Sequence, residues 1–104
     1  MGMNGEILVR DNPAENRFET EVEGHLAVAQ YVLTPGGIIF THTEVPHELG
    51  GRGIATKLVE AGLASARQRK LSVIPRCGVF ARYMQKHPET ADLLQPDIRA
   101  TLGI

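Results

Sequence analysis

Residues 44–55, with the sequence EVPHELGGRGIA, mark the place where the chain changes from a strand-like to a helix-like pattern. Three glycines, Gly50, Gly51 and Gly53, fall within four residues of this stretch. The first backbone N–H groups of a helix lack partners, and glycines leave them accessible to a phosphate. Arg52 opposes the helix dipole unless an anion binds beside it, and so favours the same interpretation. The alternative is a flexible turn with a solvent-facing arginine.

The part of the chain before this loop predicts four strands. They cover residues 6–9, 18–23, 26–33 and 38–45, with turn residues at 11–13, 24–25 and 35–37 between them. Charged side chains alternate with Thr20 and Val22 in the second strand, a pattern typical of a half-buried strand. Short turns join the last three strands, so they should form an antiparallel meander, with the first strand pairing alongside.

The part of the chain after the loop predicts two helices around one more strand. Apolar residues recur at helical spacing from Ile54 to Arg69, and a short buried strand follows at 71–74. A second helix is predicted over 77–86, then a helical turn over 90–94 and a frayed tail over 95–104. The strand–helix–strand order implies a parallel crossover, so the class is α+β within a single domain of residues 1–104.

The composition and net charge of the chain argue against several classes of function. The chain has 104 residues, of which 42% are hydrophobic, and a formal net charge of −1. This charge argues against nucleic-acid and anionic-membrane partners, and no apolar run approaches the length of a membrane span. The N-terminus lacks the features of a signal peptide, so we expect a cytoplasmic protein. Cys77 is the only cysteine, which excludes an internal disulfide, and the histidine spacing predicts no metal site.

Two common nucleotide-binding motifs do not fit the glycine loop. A Walker loop needs a second glycine directly before its lysine, and none precedes Lys57. A dinucleotide-binding fingerprint that began at Gly51 would require a third glycine at Thr56, and it would follow a different strand arrangement. The sequence therefore matches neither of these nucleotide-binding motifs.

The loop and its flanks resemble the acetyl-CoA loop of the GCN5-related N-acetyltransferases, whose pattern is Gln/Arg-x-x-Gly-x-Gly/Ala. Gly53 and Ala55 match the last two positions, whereas Gly50 stands where Gln or Arg is usual. Residues 42–45 before the loop, and 75–77, 83 and 86–89 after it, resemble the small stand-alone members of about one hundred residues. The resemblance extends over residues 18–94, most of the chain.

This resemblance implies a shortened fold that uses acetyl-CoA as cosubstrate. It assigns the cofactor to the loop residues Val45, Gly50, Gly51, Arg52, Gly53, Ile54 and Ala55. Larger relatives insert two helices between the first two strands, but only residues 11–17 are available here. The acceptor side should therefore be open, which suits a large amine acceptor such as a protein, or a second subunit that completes the pocket. We expect a monomer or weak dimer. The alternative function is a non-catalytic CoA-binding module that acts through a partner protein.

Four residues are candidates for the chemistry. Strand alternation places His42 and Glu44 on the face of Ile38 and Phe40, where either could act as base. The alternatives are a structural histidine and a solvated carboxylate. Tyr83 lies near the position where the family has a tyrosine that protonates departing CoA; core packing is the alternative.

Cys77 lies at a helix start beside Arg76, with Arg82 within two turns, and these features should lower its thiol pKa. In the small relatives a cysteine here is a suspected acetyl-accepting nucleophile. Larger relatives have an asparagine near this position that contacts the pantetheine arm. Cys77 is therefore a nucleophile, a residue that lines the CoA channel, or an inert core residue.

Overall fold

The computed structural model describes residues 7–104, in which five strands form one sheet in sequence order. The strands are β1 (Arg10–Asn12), β2 (Arg17–Val22), β3 (His25–Thr34), β4 (Gly37–Glu44) and β5 (Ser72–Pro75). Neighbouring strands pair antiparallel from β1 to β4, whereas β4 and β5 pair parallel. The predicted α+β class, with a meander joined to a parallel fifth strand, is confirmed.

The hairpin turns form at the predicted glycines. Glu23 and Gly24 both have positive φ, at 53° and 80°, as expected for a two-residue turn that matches the twist of β2 and β3. Gly36, with φ 74°, follows Pro35 in the next turn, where proline and then glycine favour a type II arrangement. These turns fix the register of the meander.

The first strand lies later in the chain than predicted. It spans Arg10–Asn12, of which residues 11 and 12 were expected to lie in a turn. Residues 7–9 are not a strand, and residue 6 of the predicted segment lies outside the described residues. The buried carboxylate of Glu19 in β2 accepts hydrogen bonds from Arg10, Asn12 and Arg17. Polar pairing of this kind gives no hydrophobic pattern, whereas the apolar run before it does, and the strand was therefore expected in that run.

Three helices follow the glycine loop, namely α1 (Ile54–Arg69), α2 (Gly78–Lys86) and α3 (Pro96–Leu102). The first two agree with the predictions, and a 3-10 turn over Pro88–Leu93 overlaps the predicted helical turn. The tail over 95–104 was expected to be frayed, but it contains α3. Ile98 and Leu102 pack against the core, and Nε2 of Gln85 donates a hydrogen bond to the Leu102 carbonyl at 2.9 Å.

Helices α1 and α2 cover one face of the sheet. The ring of Phe40 stacks on that of Phe80 in α2, with centroids 4.0 Å apart, and its edge lies directly under Gly62 of α1. The opposite face is partly open, since Leu26 and Val32 of β3 are 43% and 50% exposed. Among residues 7–104, no helix is both long and apolar enough to cross a membrane.

Candidate functional site

The glycine loop delivers the chain from β4 to the start of α1. It begins with a 3-10 turn over His47–Leu49, and Leu49 is buried in the core and anchors it. Gly51 and Gly53 then have φ values of 82° and 72°, in the left-handed region that other residues rarely adopt. The loop therefore needs glycine at both positions.

The N-terminus of α1 is left without a side-chain cap. Gly53 is the N-cap residue, no side chain bonds to the first N–H groups, and the first turn contains no acidic residue. The N–H groups of Ile54, Ala55 and Thr56 have no partner within the helix, and they lie at the positive end of its dipole. This is a site that favours an anion.

Two cavities of about 250 Å³ each meet at this helix start. We call the first the loop cavity; it is lined by residues of the glycine loop and the first turn of α1, from Val45 to Thr56. The second, the interhelix cavity, lies between α1 and α2 and includes Val59, Val79, Arg82, Tyr83, Lys86 and His87. Ala55 and Thr56 line both, so an extended ligand can pass from one cavity to the other across the helix start.

The paired strands β4 and β5 separate beside this region. The first pair of residues is Gly37 with Ser72, and the last is Phe40 with Pro75. Beyond Phe40, strand β4 pairs only with β3. Proline has no N–H to continue the ladder. The backbone N–H of Cys77 donates to the Phe40 carbonyl at 3.0 Å and fixes the chain at the point of separation, which we call the fork.

A β-bulge in β4 changes which side chains face the core. Tyr31 pairs with Phe40, but Gln30 pairs with His42, so Thr41 is an extra residue. Thr43, paired with the buried Ala29, therefore shares the face of Phe40. The prediction that His42 and Glu44 share the face of Phe40 is wrong, because the bulge interrupts the alternation.

Cys77 is 8% exposed and lies at the fork, next to Thr43. Its Sγ is 3.3 Å from Oγ1 of Thr43. Burial alone would raise the pKa of this thiol, but hydrogen bonds from Thr43 and from the backbone N–H groups of Phe80 and Val79 lower the pKa below its ordinary value. The direction agrees with the prediction, and so does the contribution of the helix start, because Val79 and Phe80 lie in the first turn of α2. The predicted effect of Arg76 and Arg82 is replaced by the hydrogen bond with Thr43.

Most of this chain is similar to a known protein family. A family model described as "GCN5-related N-acetyl-transferase" matches residues 17–93, which include β2 to β5, the glycine loop, α1 and α2. The chain belongs to the GCN5-related N-acetyltransferase family. A comparison with curated proteins returned no match.

Arg52 of this acetyltransferase-family chain points to the β2–β3 turn. Its guanidinium nitrogens lie 3.0 and 3.1 Å from the carboxylate oxygens of Glu23, and this hydrogen-bonded pair lowers the pKa of the Glu23 carboxyl. The N–H of Gly50 donates to the His47 carbonyl at 3.0 Å, which closes the preceding turn. The ion pair between Arg52 and Glu23 thus links the glycine loop to the β2–β3 turn of the meander.

The structure does not bring His42 and Glu44 together with Cys77. The two side chains are 57% and 72% exposed, and Nε2 of His42 lies 3.4 Å from Oε1 of Glu44. Their partners in β3 are Gln30 and Val28, on the open face of the sheet. Among residues 7–104, no three His, Cys, Asp or Glu side chains are grouped so that they could hold a metal ion.

Tyr83 lines the interhelix cavity and stacks on His87, with ring centroids 4.0 Å apart and planes 18° apart. Burial raises the pKa of the Tyr83 hydroxyl, and the charges of Glu60 and Glu89 raise it further. Nδ1 of His87 in turn lies 3.2 Å from Oε2 of Glu89. Tyr83 is therefore a protonated group beside the cavity at neutral pH.

Sequence reasoning missed Thr43. The residue was placed on the face opposite Phe40 because the alternation was counted without a bulge. A bulge of one residue leaves no hydrophobic signal here, since Thr41, His42 and Thr43 are all polar. Only the pairing with β3 shows it.

Proposed function

We propose that this chain is an acetyl-CoA-dependent N-acetyltransferase that transfers an acetyl group to an amine acceptor. The observation that carries the proposal is the N-terminus of α1, where Gly53 is the N-cap residue and no side chain caps the helix. Two cavities meet at this helix start, beside the fork. Membership of the acetyltransferase family supports the reaction class. Cytoplasmic location and a monomeric or weakly dimeric state stay predictions from the sequence.

In this proposal the pyrophosphate of acetyl-CoA accepts hydrogen bonds from the backbone N–H groups of residues 51–55. Val45 and Gly50 line the loop cavity, and the loop is held in place by Arg52 and its ion pair with Glu23. The acyl end of the cofactor then points to the fork. There the amide of Thr41, set outside the regular ladder by the bulge, is the donor that we assign to the developing oxyanion.

Two routes lead from this complex to the product. In direct transfer the neutral amine attacks the thioester carbonyl, the C–S bond breaks, and the CoA thiolate takes a proton, for which Tyr83 is our candidate donor. The nitrogen then releases its surplus proton to water, and the Tyr83 phenolate regains one from water. In the covalent route the Cys77 thiolate attacks first, CoA leaves, and the amine then attacks the S-acetyl group and loses its proton. The lowered thiol pKa, maintained by three hydrogen-bonding residues, favours the covalent route.

Calorimetric titration tests the binding half of the proposal. Acetyl-CoA and CoA should bind, whereas ATP, which lacks the pantetheine arm, should bind more weakly. Absence of heat with CoA at millimolar concentration would contradict the placement. Transfer of radiolabel from acetyl-CoA to proteins or small amines of a cell lysate tests the reaction, and binding without any transfer would favour the non-catalytic CoA-binding module instead.

Intact-mass spectrometry separates the two routes. After brief incubation with acetyl-CoA and an acid quench, the covalent route predicts one added acetyl group that maps to Cys77. Cys77→Ala should then abolish transfer and leave CoA affinity nearly unchanged, and Cys77→Ser should be almost as inactive because a hydroxyl without an adjacent base is a poor nucleophile. A Cys77→Ala protein that transfers at the parental rate would establish direct attack.

A further inference from the structure

Two pairs of charged residues join the β2–β3 hairpin to the glycine loop. The hairpin contributes Glu23, in its turn, and His25, at the start of β3. The Glu23 carboxylate lies 3.0 and 3.1 Å from the guanidinium nitrogens of Arg52, and Nδ1 of His25 lies 4.0 Å from Oε1 of Glu48. Each of the two segments thus supplies one acid and one base. We call these two pairs the hairpin contact.

The hairpin contact holds a part of the loop that has little else to fix it. Glu48 belongs to the turn that the buried Leu49 anchors, but Arg52 lies between Gly51 and Gly53, which both have positive φ. Glycine loses more conformational freedom on ordering than any other residue. Within residues 7–104, no backbone–backbone hydrogen bond involves Gly51 or Arg52. The conformation of this segment therefore depends on the Arg52 side chain and its partner.

The two pairs differ in their response to pH. The hydrogen bond from Arg52 lowers the pKa of the Glu23 carboxyl, so this pair stays charged at neutral and mildly acidic pH. Histidine changes its charge between pH 5 and 8, so His25 forms an ion pair with Glu48 only after it has taken up a proton. The charged groups that face His25 are Glu23, Glu48 and, across the Glu48 carboxylate, His47, whose Nδ1 lies 3.7 Å from Oε1 of Glu48. Protonation of His25 between two acids therefore strengthens the hairpin contact.

We propose that the hairpin contact positions the glycine loop in a pH-dependent way, so that protonation of His25 orders the loop and raises its affinity for the anionic part of the ligand. A ligand that meets an ordered loop loses less conformational freedom on binding. The four side chains are between 40% and 64% exposed, so the effect on affinity is about two- to fivefold. The proposal rests on the proposed function for the identity of the ligand, which is CoA.

The first experiment uses the sign of a charge effect. If only attraction mattered, Glu23→Gln would strengthen the binding of an anion, because it removes a negative charge near the loop. Positioning predicts the opposite, a two- to fivefold weaker binding of CoA in a calorimetric titration. Glu21→Gln is the matched control, because Glu21 is also on β2 but forms no ion pair within residues 7–104, and it should not weaken binding. Equal or tighter binding by a folded Glu23→Gln protein would overturn the proposal.

The second experiment follows affinity between about pH 5.5 and 8, the range in which histidine titrates. The ligand is 3′-dephospho-CoA, because its pyrophosphate keeps a constant charge in this range, whereas the 3′-phosphate of CoA does not. The affinity of the parent should fall about two- to fivefold as the pH rises. Glu48→Gln should flatten this profile, since His25 then has no partner in the loop, and Glu21→Gln should keep it. An undiminished pH dependence in Glu48→Gln would assign the effect to direct attraction between histidines and ligand, and would overturn the proposal.

A third measurement needs no ligand and separates this proposal from the proposed function. Order parameters of the Gly51 and Gly53 amides, measured by NMR relaxation, should be higher at about pH 5.5 than at pH 8, and lower in Glu23→Gln than in the parent. If CoA does not bind but the loop is more ordered at low pH, the proposed function fails and the hairpin contact stands. Unchanged order parameters in a protein that binds CoA would overturn the hairpin contact and leave the proposed function intact.

Discussion

Cys77 and Thr43 are 34 residues apart in the chain and meet at one hydrogen bond. Their contact depends on the bulge, which turns Thr43 inward, and on the backbone bond that fixes Cys77 to Phe40. At the scale of single residues the sequence could identify Cys77 as special, since it follows Pro75 and precedes a helix. It could not identify the partner that tunes it.

Thr43→Val should make the thiol of Cys77 less acidic, because the thiolate loses a hydroxyl donor while the burial is retained. We expect its rate of alkylation by iodoacetamide at pH 7 to fall by about 3- to 10-fold, and the pH profile of the rate to shift upwards. Thr41→Val is the matched control, because the Thr41 side chain is exposed and its hydroxyl donates to the Gln30 carbonyl, whereas the partner of Cys77 is Thr43. Superimposable profiles for Thr43→Val and the parent would show that the contact is without effect on the thiol.

Gly53→Ala should weaken CoA binding by about tenfold or more, because the left-handed backbone at the helix start is forced to change. The added Cβ would meet no atom within 4 Å, so the cost to folding is conformational, about 1–2 kcal/mol. Gly36→Ala is matched in φ and in free space but lies in the β3–β4 turn. Titration and urea unfolding should give both variants a similar stability loss and only Gly53→Ala an affinity loss; equal affinities would remove the loop from the binding site.

Helix α1 and the glycine loop were predictable from the sequence, because the helical spacing of apolar residues and the positions of the glycines are local signals. Helix α1 has the predicted bounds, since it begins after Gly53 and ends where Lys70 adopts φ 59°. Strand β1 and the bulge were not predictable, because both depend on pairing with β2 or β3. Helix α3 was missed for a similar reason, since tertiary contacts of Ile98 and Leu102 stabilise it.

Gly62→Ala should destabilise the fold, even though alanine is the better helix former by about 1 kcal/mol. Its Cβ would lie 3.0 Å from two ring carbons of Phe40 and 3.2 Å from Cζ of Phe80, in a stack with little room to adjust. We expect a net loss of about 1 kcal/mol from overpacking, measured as a lower urea midpoint.

The same substitution in a Phe80→Leu background should cost less, because the smaller side chain lets Phe40 shift. A double-mutant cycle measures this coupling. An increase in stability for Gly62→Ala alone would show that α1 can move away from the sheet without penalty.

At the scale of the whole molecule, Tyr31 of β3 takes part in a contact that joins the edge strand β1 and the end of α1. Its hydroxyl donates to Oδ1 of Asp11 at 2.6 Å, and Oδ2 of the same carboxylate lies 3.9 Å from a guanidinium nitrogen of Arg69. Burial and the Asp11 charge raise the pKa of Tyr31 to about 12. One phenol thus connects β3 with β1 and, through Asp11, with the end of α1.

Because the pKa of Tyr31 is raised, we expect the free energy of unfolding to decrease at alkaline pH. The unfolded chain releases the Tyr31 proton near its ordinary pKa of about 10, whereas the folded chain keeps it to about 12, so the free energy of unfolding falls as the pH rises between these values. Tyr31→Phe should flatten that part of the profile and cost about 1 kcal/mol at pH 7 through the lost hydrogen bond. Urea unfolding at several pH values measures both. An equally steep decline in the variant would assign it to other groups.

The thiol of Cys77 at the fork can report what fraction of the protein has a ligand bound there. Because Cys77 is the only cysteine and is largely shielded, a thiol reagent can modify just one site, at a rate set by how often the fork admits it. A cosubstrate seated there would slow the labelling in proportion to its bound fraction. Dissociation constants for unlabelled ligands can then be obtained from labelling half-times of the native sequence, without an isotope, a fluorophore or an engineered substitution.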